Sequence, residues 1–186
     1  NTRETGADGT YPAYRNWEDA NHMRDLAKRW NVPVELLGKK PVGAPEIFEL
    51  CEKGYIKVLW NICTNPAVSM MHRTTHLRTL NGVFLVVQDC FADTETAQFA
   101  DVVLPSAMWG EKTGCMTNAE RRCTLLAKAV DPPGEARTDL DIFIDFARRM
   151  NLRDASGGWL IPYSDPEGAF NEWRENSRGC IPDYSG

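Results

Sequence analysis

Several common signatures are missing from this sequence of 186 residues. It has neither the GxGxxG turn of dinucleotide-binding Rossmann domains nor the GxxxxGK[ST] loop that binds nucleotide phosphates. Its six cysteines include no CxxC pair, the short spacing that thiolate metal sites and iron–sulfur clusters normally use. These absences disfavour a nicotinamide-dependent dehydrogenase, a P-loop enzyme and a cysteine-ligated metal centre within the chain.

Charge and hydropathy exclude two further classes of partner. The net charge is −5 and there is no basic block, so we expect no nucleic-acid partner. No apolar run approaches the roughly 20 residues that cross a bilayer, so we expect no membrane span. The opening NTRETGADG is polar, unlike a signal peptide. We therefore expect a cytoplasmic protein whose cysteines are mostly buried thiols.

The two ends of the chain predict a segment of a longer polypeptide. There is no starting methionine, and the sequence stops abruptly at IPDYSG. A processed or tag-trimmed complete protein is the alternative.

Histidine is scarce, with three in the chain, but His72 and His76 stand four residues apart. Such a pair lies on one helix face and can bind zinc. The metalloprotease motif needs a glutamate directly after the first histidine, where this chain has Arg73. We therefore predict a solvated helix face and no metal site.

Strands alternate with helices along most of the sequence, which predicts an α/β fold with a parallel sheet. An extended excursion follows the third strand, and Asp139 is a candidate cap for a helix whose apolar stripe includes Phe146 and Met150. Predicted strands span 55–62, 83–89 and 101–105; predicted helices span 18–30, 45–53, 66–81, 93–100 and 140–150, with another opened by Asp165 and Pro166.

Polar residues follow the first two predicted strands. The first strand ends in Thr64-Asn65-Pro66 and the second in Gln88-Asp89. Ligands of open α/β sheets bind at the carboxyl ends of the strands, so these side chains are candidate ligand contacts. Taken alone, the same residues are better explained as ordinary caps and turns.

Three longer stretches resemble the molybdopterin oxidoreductases, a family that includes nitrate reductases and formate dehydrogenases. They are IKVLWNICTNPAVS, VVQDCFADTETAQFADVVLPSAMWGEKTGCMTNAERR and DPPGEARTDLDIFIDFARRM. The resemblance implies that residues 1–154 are part of a Rossmann-like, parallel-sheet cofactor domain and that 155–186 are its helical or irregular tail. It covers an internal slice of such an enzyme, so the isolated chain is predicted to be inactive.

The resemblance also implies site residues. By their motif positions, side chains from four stretches would contact a pterin dinucleotide: Asn65, Gln88, Asp89, Lys112 and Asp139. The Asp89 carboxylate suits the amidine edge of guanine, and the Lys112 ammonium suits a pyrophosphate. Arg3 matches an arginine near the metal and substrate funnel, where it would orient an oxyanion. Asn118, Glu120 and Arg121 match interdomain contacts.

The implied function is that of a molybdenum or tungsten bis-molybdopterin guanine dinucleotide enzyme, most like a nitrate reductase. A [4Fe–4S] cluster, whose ligands lie outside this chain, would belong to the full-length enzyme. The implied partners are the remaining domains of its own polypeptide, an electron-transfer protein and a small oxyanion substrate. A formate dehydrogenase and a non-catalytic cofactor-binding module are the alternatives, and the full-length enzyme could also be periplasmic.

Overall fold

The computed structural model describes residues 11–37, 42–71, 73–118, 120–181 and 183–186. The chain divides into two units: a sheet unit of residues 42–111 and 130–138, and a helical unit built from 11–37, 112–129 and 139–186. The strands are β1 Val58–Ile62, β2 Phe84–Asp89, β3 Val102–Pro105, β4 Gly114–Thr117 and β5 Cys123–Leu126. The helices are α1 Ala20–Trp30, α2 Ala44–Glu52, α3 Pro66–Ser69, α4 Arg73–Asn81, α5 Asp139–Arg149 and α6 Pro166–Asn176.

The sheet unit contains a three-stranded parallel sheet in the order β1-β2-β3. The register pairs Ile62 with Gln88 and Asp89 with Pro105. All three strands therefore end at one edge, here called the carboxyl edge. The predicted α/β class and the three predicted parallel strands are confirmed.

One face of this sheet carries the core of the unit. Leu85 and Val87 of β2 have no accessible surface, and Leu59 of β1 packs against the same cluster. Helices α2 and α4 contribute most of the remaining members. The core cluster comprises Phe48, Cys51, Ala67, Leu80, Val83, Leu85, Val87 and Ala97.

The opposite face of the sheet is apolar but exposed. Val58 and Ile62 of β1, Phe84 of β2 and Val102 of β3 are all exposed. The near-continuous apolar run YIKVLWNI predicts a buried parallel strand, and for β1 that prediction is wrong. Strands of parallel sheets are normally covered on both faces, which is why an apolar run predicts burial.

The helix predicted from Pro66 to Asn81 is interrupted. Met70 has an extended backbone, with φ −83° and ψ 141°, and separates α3 from α4. The Ser69 hydroxyl donates to the Asn65 carbonyl at 3.0 Å. Such local side-chain bonds compete with helix continuation. The helix predicted at 93–100 is likewise reduced to a 3₁₀ turn at Ala97–Phe99.

Aspartate side chains cap the first turns of α1 and α6 in the helical unit. Asp19 accepts hydrogen bonds from the backbone N–H groups of Asn21 and His22 at the start of α1, and Asp165 accepts from the Gly168 N–H at the start of α6. Asp139 is the first residue of α5 rather than its cap.

Two predictions for the helical unit need correction or detail. The excursion after β3 contains an antiparallel hairpin of β4 and β5. The stripe predicted for α5 is only partly right, because Ile142, Ile144 and Ala147 are buried whereas Phe146 and Met150 are exposed.

Arg15 is a buried cation in the helical unit. Its Nε donates to the Asn176 carbonyl at 2.8 Å, and its Nη2 donates to the Arg178 carbonyl at 2.7 Å. The same Nη2 lies 2.7 Å from a carboxylate oxygen of Asp25 in α1. One guanidinium thus joins α1 to the end of α6, a use of its fixed fork that lysine cannot reproduce.

Candidate functional site

The carboxyl edge brings together the polar residues that follow the three parallel strands. The Cys63 N–H donates to the Gln88 carbonyl at 2.8 Å, and the Ser106 N–H donates to the Asp89 carbonyl at 2.9 Å. These bonds continue the alignment of the strands past their ends. Side chains that lie far apart in sequence consequently share one edge of the sheet.

Asn65 links the loop after β1 to the loop after β2. Its Nδ2 donates to the Glu95 carboxylate at 2.7 Å. Its Oδ1 accepts from both the N–H and the hydroxyl of Thr96, at 3.2 and 2.6 Å. The Thr96 hydroxyl in turn accepts from the Ala67 N–H at 3.1 Å. Asn65 therefore holds the edge together through its whole amide group.

Gln88 and Asp89 stand at the end of the central strand. The Gln88 side chain has no accessible surface, and Asp89 is 7% exposed. One carboxylate oxygen of Asp89 accepts from the Phe91 N–H at 3.0 Å, which shapes the turn after β2. The Cys90 thiol is also hydrogen-bonded to this carboxylate. A carboxylate has about four acceptor sites, so capacity for further donors remains.

Lys112 and Asp139, 27 residues apart, form an ion pair in the helical unit. Their side chains are 28% and 26% exposed. Asp139 lies in the first turn of α5, where the helix dipole favours a negative charge. Two residues predicted for one site are thus in direct contact with each other.

The remaining predicted residues fall into three groups. Arg3 and His72 lie outside the described residues. His76 packs edge-on against Phe48 with ring centroids 4.7 Å apart, so the prediction of a solvated face is wrong for this residue. Arg121 lies in the turn between β4 and β5, where its carbonyl accepts from the Tyr184 hydroxyl at 2.6 Å.

Sequence reasoning missed Thr96, Ser106 and the aromatic side chains near the edge. Thr96 has no accessible surface and makes the central hydrogen bonds of the edge. Phe91, after β2, and Trp109, after β3, are exposed rings. The polar TET run before β3 was the available signal for Thr96, but a buried hydroxyl among loop residues has no periodicity that marks it.

The cysteines also differ from expectation. All six lie in the described part of the chain as thiols, but only Cys51 is buried, and Cys63, Cys90 and Cys115 are exposed. The prediction of mostly buried thiols is therefore wrong. Partial desolvation and the neighbouring Asp89 carboxylate raise the pKa of Cys90.

Neither a metal-binding cluster nor a membrane-spanning helix occurs among the described residues. No group of three or more His, Cys, Asp or Glu side chains there could hold a metal ion. The longest helices in these same parts have 11 residues, and none is long and apolar enough to cross a membrane.

Comparison with known proteins identifies the family. The molybdopterin oxidoreductase profile matches residues 3–149. The chain therefore belongs to the molybdopterin oxidoreductase family. It is similar to the assimilatory nitrate reductase catalytic subunit of Bacillus subtilis, with 40% identity over 94% of this chain and 24% of that protein. It is also similar to the F420-dependent formate dehydrogenase subunit alpha of Methanocaldococcus jannaschii, with 38% identity over 95% of this chain and 24% of that protein.

A further relative is the periplasmic nitrate reductase of Desulfovibrio desulfuricans, with 32% identity over 94% of this chain and 23% of that protein. The chain thus spans about a quarter of the length of the relatives that it matches.

The family implies a pterin cofactor that carries molybdenum or tungsten. The carboxyl edge fits part of such a group by its donor set. It offers the Asp89 carboxylate for N–H donors and the exposed Phe91 ring for a flat heterocycle. These groups suit the organic part of the cofactor, and only that part.

Proposed function

We propose that the chain is a segment of the catalytic subunit of a molybdenum or tungsten oxidoreductase, most like a nitrate reductase. Its role is to supply part of the cradle for a bis-molybdopterin guanine dinucleotide. The observation that carries this proposal is the carboxyl edge, where a nearly buried carboxylate, Asp89, follows the central parallel strand. Strand ends of this kind are where open α/β sheets bind ligands.

Asp89 is assigned to the guanine amidine edge. That edge presents two N–H donors side by side, which a carboxylate accepts with both oxygens. The low exposure of Asp89 strengthens these bonds, because little water competes for the carboxylate. The bond from the Phe91 N–H fixes the rotation of the side chain, so little entropy is lost when the ligand binds.

Asn65 and Gln88 support the same edge. The Asn65 amide holds the two loops that border the edge, and it reaches a ligand only if it exchanges its bonds with Glu95 or Thr96. Gln88 is enclosed, so its contact with the cofactor also requires movement of the strand ends. We place both residues at the cradle, where their main role is to hold its shape.

Lys112 and Asp139 are assigned to the phosphate part of the cofactor. The Lys112 ammonium is already paired with Asp139, and a pyrophosphate would add to or replace that pair. Partial exposure of both side chains leaves room for an anion to approach. In this role Asp139 orients the lysine and competes with smaller anions for its ammonium group.

The metal supplies the two-electron redox chemistry, and a [4Fe–4S] cluster of the full-length enzyme passes the electrons. For nitrate, two electrons and two protons give nitrite and water. The contribution of this chain is to bind and orient the cofactor. Arg3 is proposed to attract the oxyanion substrate, because a guanidinium donates two parallel bonds to such a group.

The proposed partners include the other domains of the same polypeptide. The exposed apolar face of the sheet, at Val58, Phe84 and Val102, is the surface that we assign to them. A parallel sheet with one bare apolar face gains stability when a further layer covers it. The electron-transfer protein is proposed on the redox chemistry alone, and the cytoplasm is proposed as the compartment on the thiol content.

A formate dehydrogenase is the second candidate, supported by 38% identity to the alpha subunit from Methanocaldococcus jannaschii. Assay of the full-length enzyme with nitrate and a reductant, and with formate and an oxidant, separates the two. Turnover of nitrate supports the first proposal, and turnover of formate alone supports the second. Absence of both activities in a cofactor-loaded protein would favour a binding module.

The cradle itself is tested by Asp89→Asn in the full-length enzyme. Asparagine keeps an acceptor for the Phe91 N–H but cannot accept both N–H groups of guanine. We expect a lower ratio of pterin to protein, with the melting temperature of the sheet unit nearly unchanged. Asp93→Asn, at an exposed loop position, is the matched control. Unchanged pterin content in Asp89→Asn would refute the guanine role.

A further inference from the structure

Two exposed thiols lie side by side at the carboxyl edge. Cys63 directly follows β1 and Cys90 directly follows β2, and these strands are neighbours in the sheet. The family assignment gives neither residue a role. Their shared position raises the question of what such a pair can do.

The backbone holds the two residues within the distance of a disulfide. The Cys63 N–H donates to the Gln88 carbonyl at 2.8 Å, so Cys63 stays beside the end of β2. Neighbouring strands lie about 4.8 Å apart and rise about 3.3 Å per residue, which places Cα atoms one step off register about 6 Å apart. Disulfides usually join Cα atoms that are about 4.4 to 6.8 Å apart.

The Cys63 side chain extends across the end of β2, the strand that Cys90 follows. Its Sγ lies 4.0 Å from the Ser106 hydroxyl, which belongs to the far side of β2. The sulfur must therefore cross the end of β2, and Cys90 is the residue that follows that end. Cys63 adopts a left-handed backbone, with φ 48°, a conformation uncommon outside glycine. That conformation is what turns the side chain across the strand ends.

We propose that Cys63 and Cys90 form a redox-active dithiol that closes to a disulfide across the ends of β1 and β2. The closed form would tie together the two loops that carry Asn65 and Asp89. An exposed cysteine pair in a reducing compartment is of the transient, redox-sensing kind rather than a permanent cross-link.

The oxidant is a small disulfide, and the exchange balances in two steps. The Cys63 thiolate attacks one sulfur of the small disulfide, forms a mixed disulfide and releases one small thiolate. The Cys90 thiol loses its proton and attacks Cys63 Sγ, which forms the Cys63–Cys90 bond and releases the second small thiolate. Two protein thiols are oxidised, and one small disulfide is reduced to two thiols.

The test uses the 186-residue chain and glutathione disulfide. Trypsin places Cys63 in the peptide 58–73 and Cys90 in the peptide 79–112, so a bond between them links two distinct peptides. We expect this linked pair to be the main cross-link in buffer and to lose its preference in denaturing urea. Absence of the linked pair in buffer would overturn the proposal.

A second cysteine pair in the same chain provides the matched control. Cys115 and Cys123 lie on neighbouring strands of the β4–β5 hairpin, where Cys115 faces Leu125 and Cys123 faces Thr117. Cys115 and Cys123 are therefore two residues out of register, whereas Cys63 and Cys90 are one residue out of register. Cross-linking of this pair as fast as Cys63–Cys90 would show that oxidation is not selective and would also overturn the proposal.

The effect on the cofactor rests on the proposed function and is read separately. In the full-length enzyme, oxidation should change activity reversibly in the wild type, and Cys63→Ser should abolish that response. A disulfide that forms without any change in pterin content or activity would overturn the link to the cradle and leave the dithiol itself standing. Reduced wild-type enzyme that does not bind the pterin would instead count against the proposed cradle.

Discussion

The hydroxyl of Thr96 offers the sharpest test of how the carboxyl edge is held together. Thr96→Val removes one oxygen atom and keeps the branched shape. The Ala67 N–H then loses its acceptor at 3.1 Å, in surroundings where both Ala67 and Thr96 are buried. An unsatisfied buried donor costs about 1–3 kcal/mol. Asn65 Oδ1 loses one of its two donors from Thr96, which adds about 0.5–1.5 kcal/mol.

The expected total is about 1.5–4.5 kcal/mol, the sum of these two terms. Urea unfolding followed by circular dichroism measures it. With a slope of about 1–3 kcal/mol per molar urea, the midpoint should fall by about 0.5 M or more. Native-state hydrogen exchange should also show faster exchange of the Ala67 amide, which locates the effect at the edge.

Two control variants separate the hydroxyl from other effects. Thr96→Ser keeps the hydroxyl and should lose much less stability than Thr96→Val. Thr74→Val makes the same chemical change at an exposed position of α4 and should stay within about 0.5 kcal/mol of the wild type. A Thr96→Val protein as stable as the wild type would refute the reasoning, because the edge would then be held by other contacts.

Three further changes test the helical unit. Burial raises the pKa of Glu172, so the wild type loses stability as pH rises through the interval between the unfolded and the folded pKa. Glu172→Gln still accepts from Trp30 Nε1 and carries no charge. In thermal melts it should be more stable than the wild type at neutral pH and equal to it in acid. Arg15→Lys should cost about 2–4 kcal/mol in urea unfolding, since one ammonium cannot reach the two carbonyls and Asp25 together. For Lys112→Ala and Asp139→Ala, a double-mutant cycle should give a coupling of about 0.5–1 kcal/mol that weakens in high salt, because both side chains are partly exposed.

The order of strands and helices in the sheet unit was predictable because its signals are local. Apolar β-forming runs located β1, β2 and β3, and the parallel arrangement followed from the helices between them. The burial of β1 was mispredicted for a physical reason. An apolar run indicates that both faces of a strand are covered in the folded protein, but it does not identify the segment that covers each face.

Contacts that leave no periodic pattern in the sequence explain the other misses. The sequence offers no sign that His76 packs on Phe48, because that contact joins residues of two separate helices. The break at Met70 depends on local bonds from Ser69 that compete with the helix, and apolar spacing is blind to them. The boundary between residues 154 and 155 stays a prediction, since the contact-based division of the chain follows different limits.

For the site, the motif positions predict the candidate residues, whereas the contacts that those residues already make appear only in the folded structure. Asn65 is bonded to Glu95 and Thr96, and Lys112 is paired with Asp139. A cofactor contact to either residue must therefore exchange an existing partner, and its net contribution is a difference between two similar interactions.

Asp89 differs from both residues, because the Phe91 N–H and the Cys90 thiol leave part of its about four acceptor sites unused. A ligand donor at Asp89 adds a bond without breaking one, whereas at Asn65 it replaces one. If the cradle proposal is right, substitution of Asp89 should lower cofactor content more than substitution of Lys112. The reverse order would mean that the phosphate end, rather than the guanine end, dominates binding.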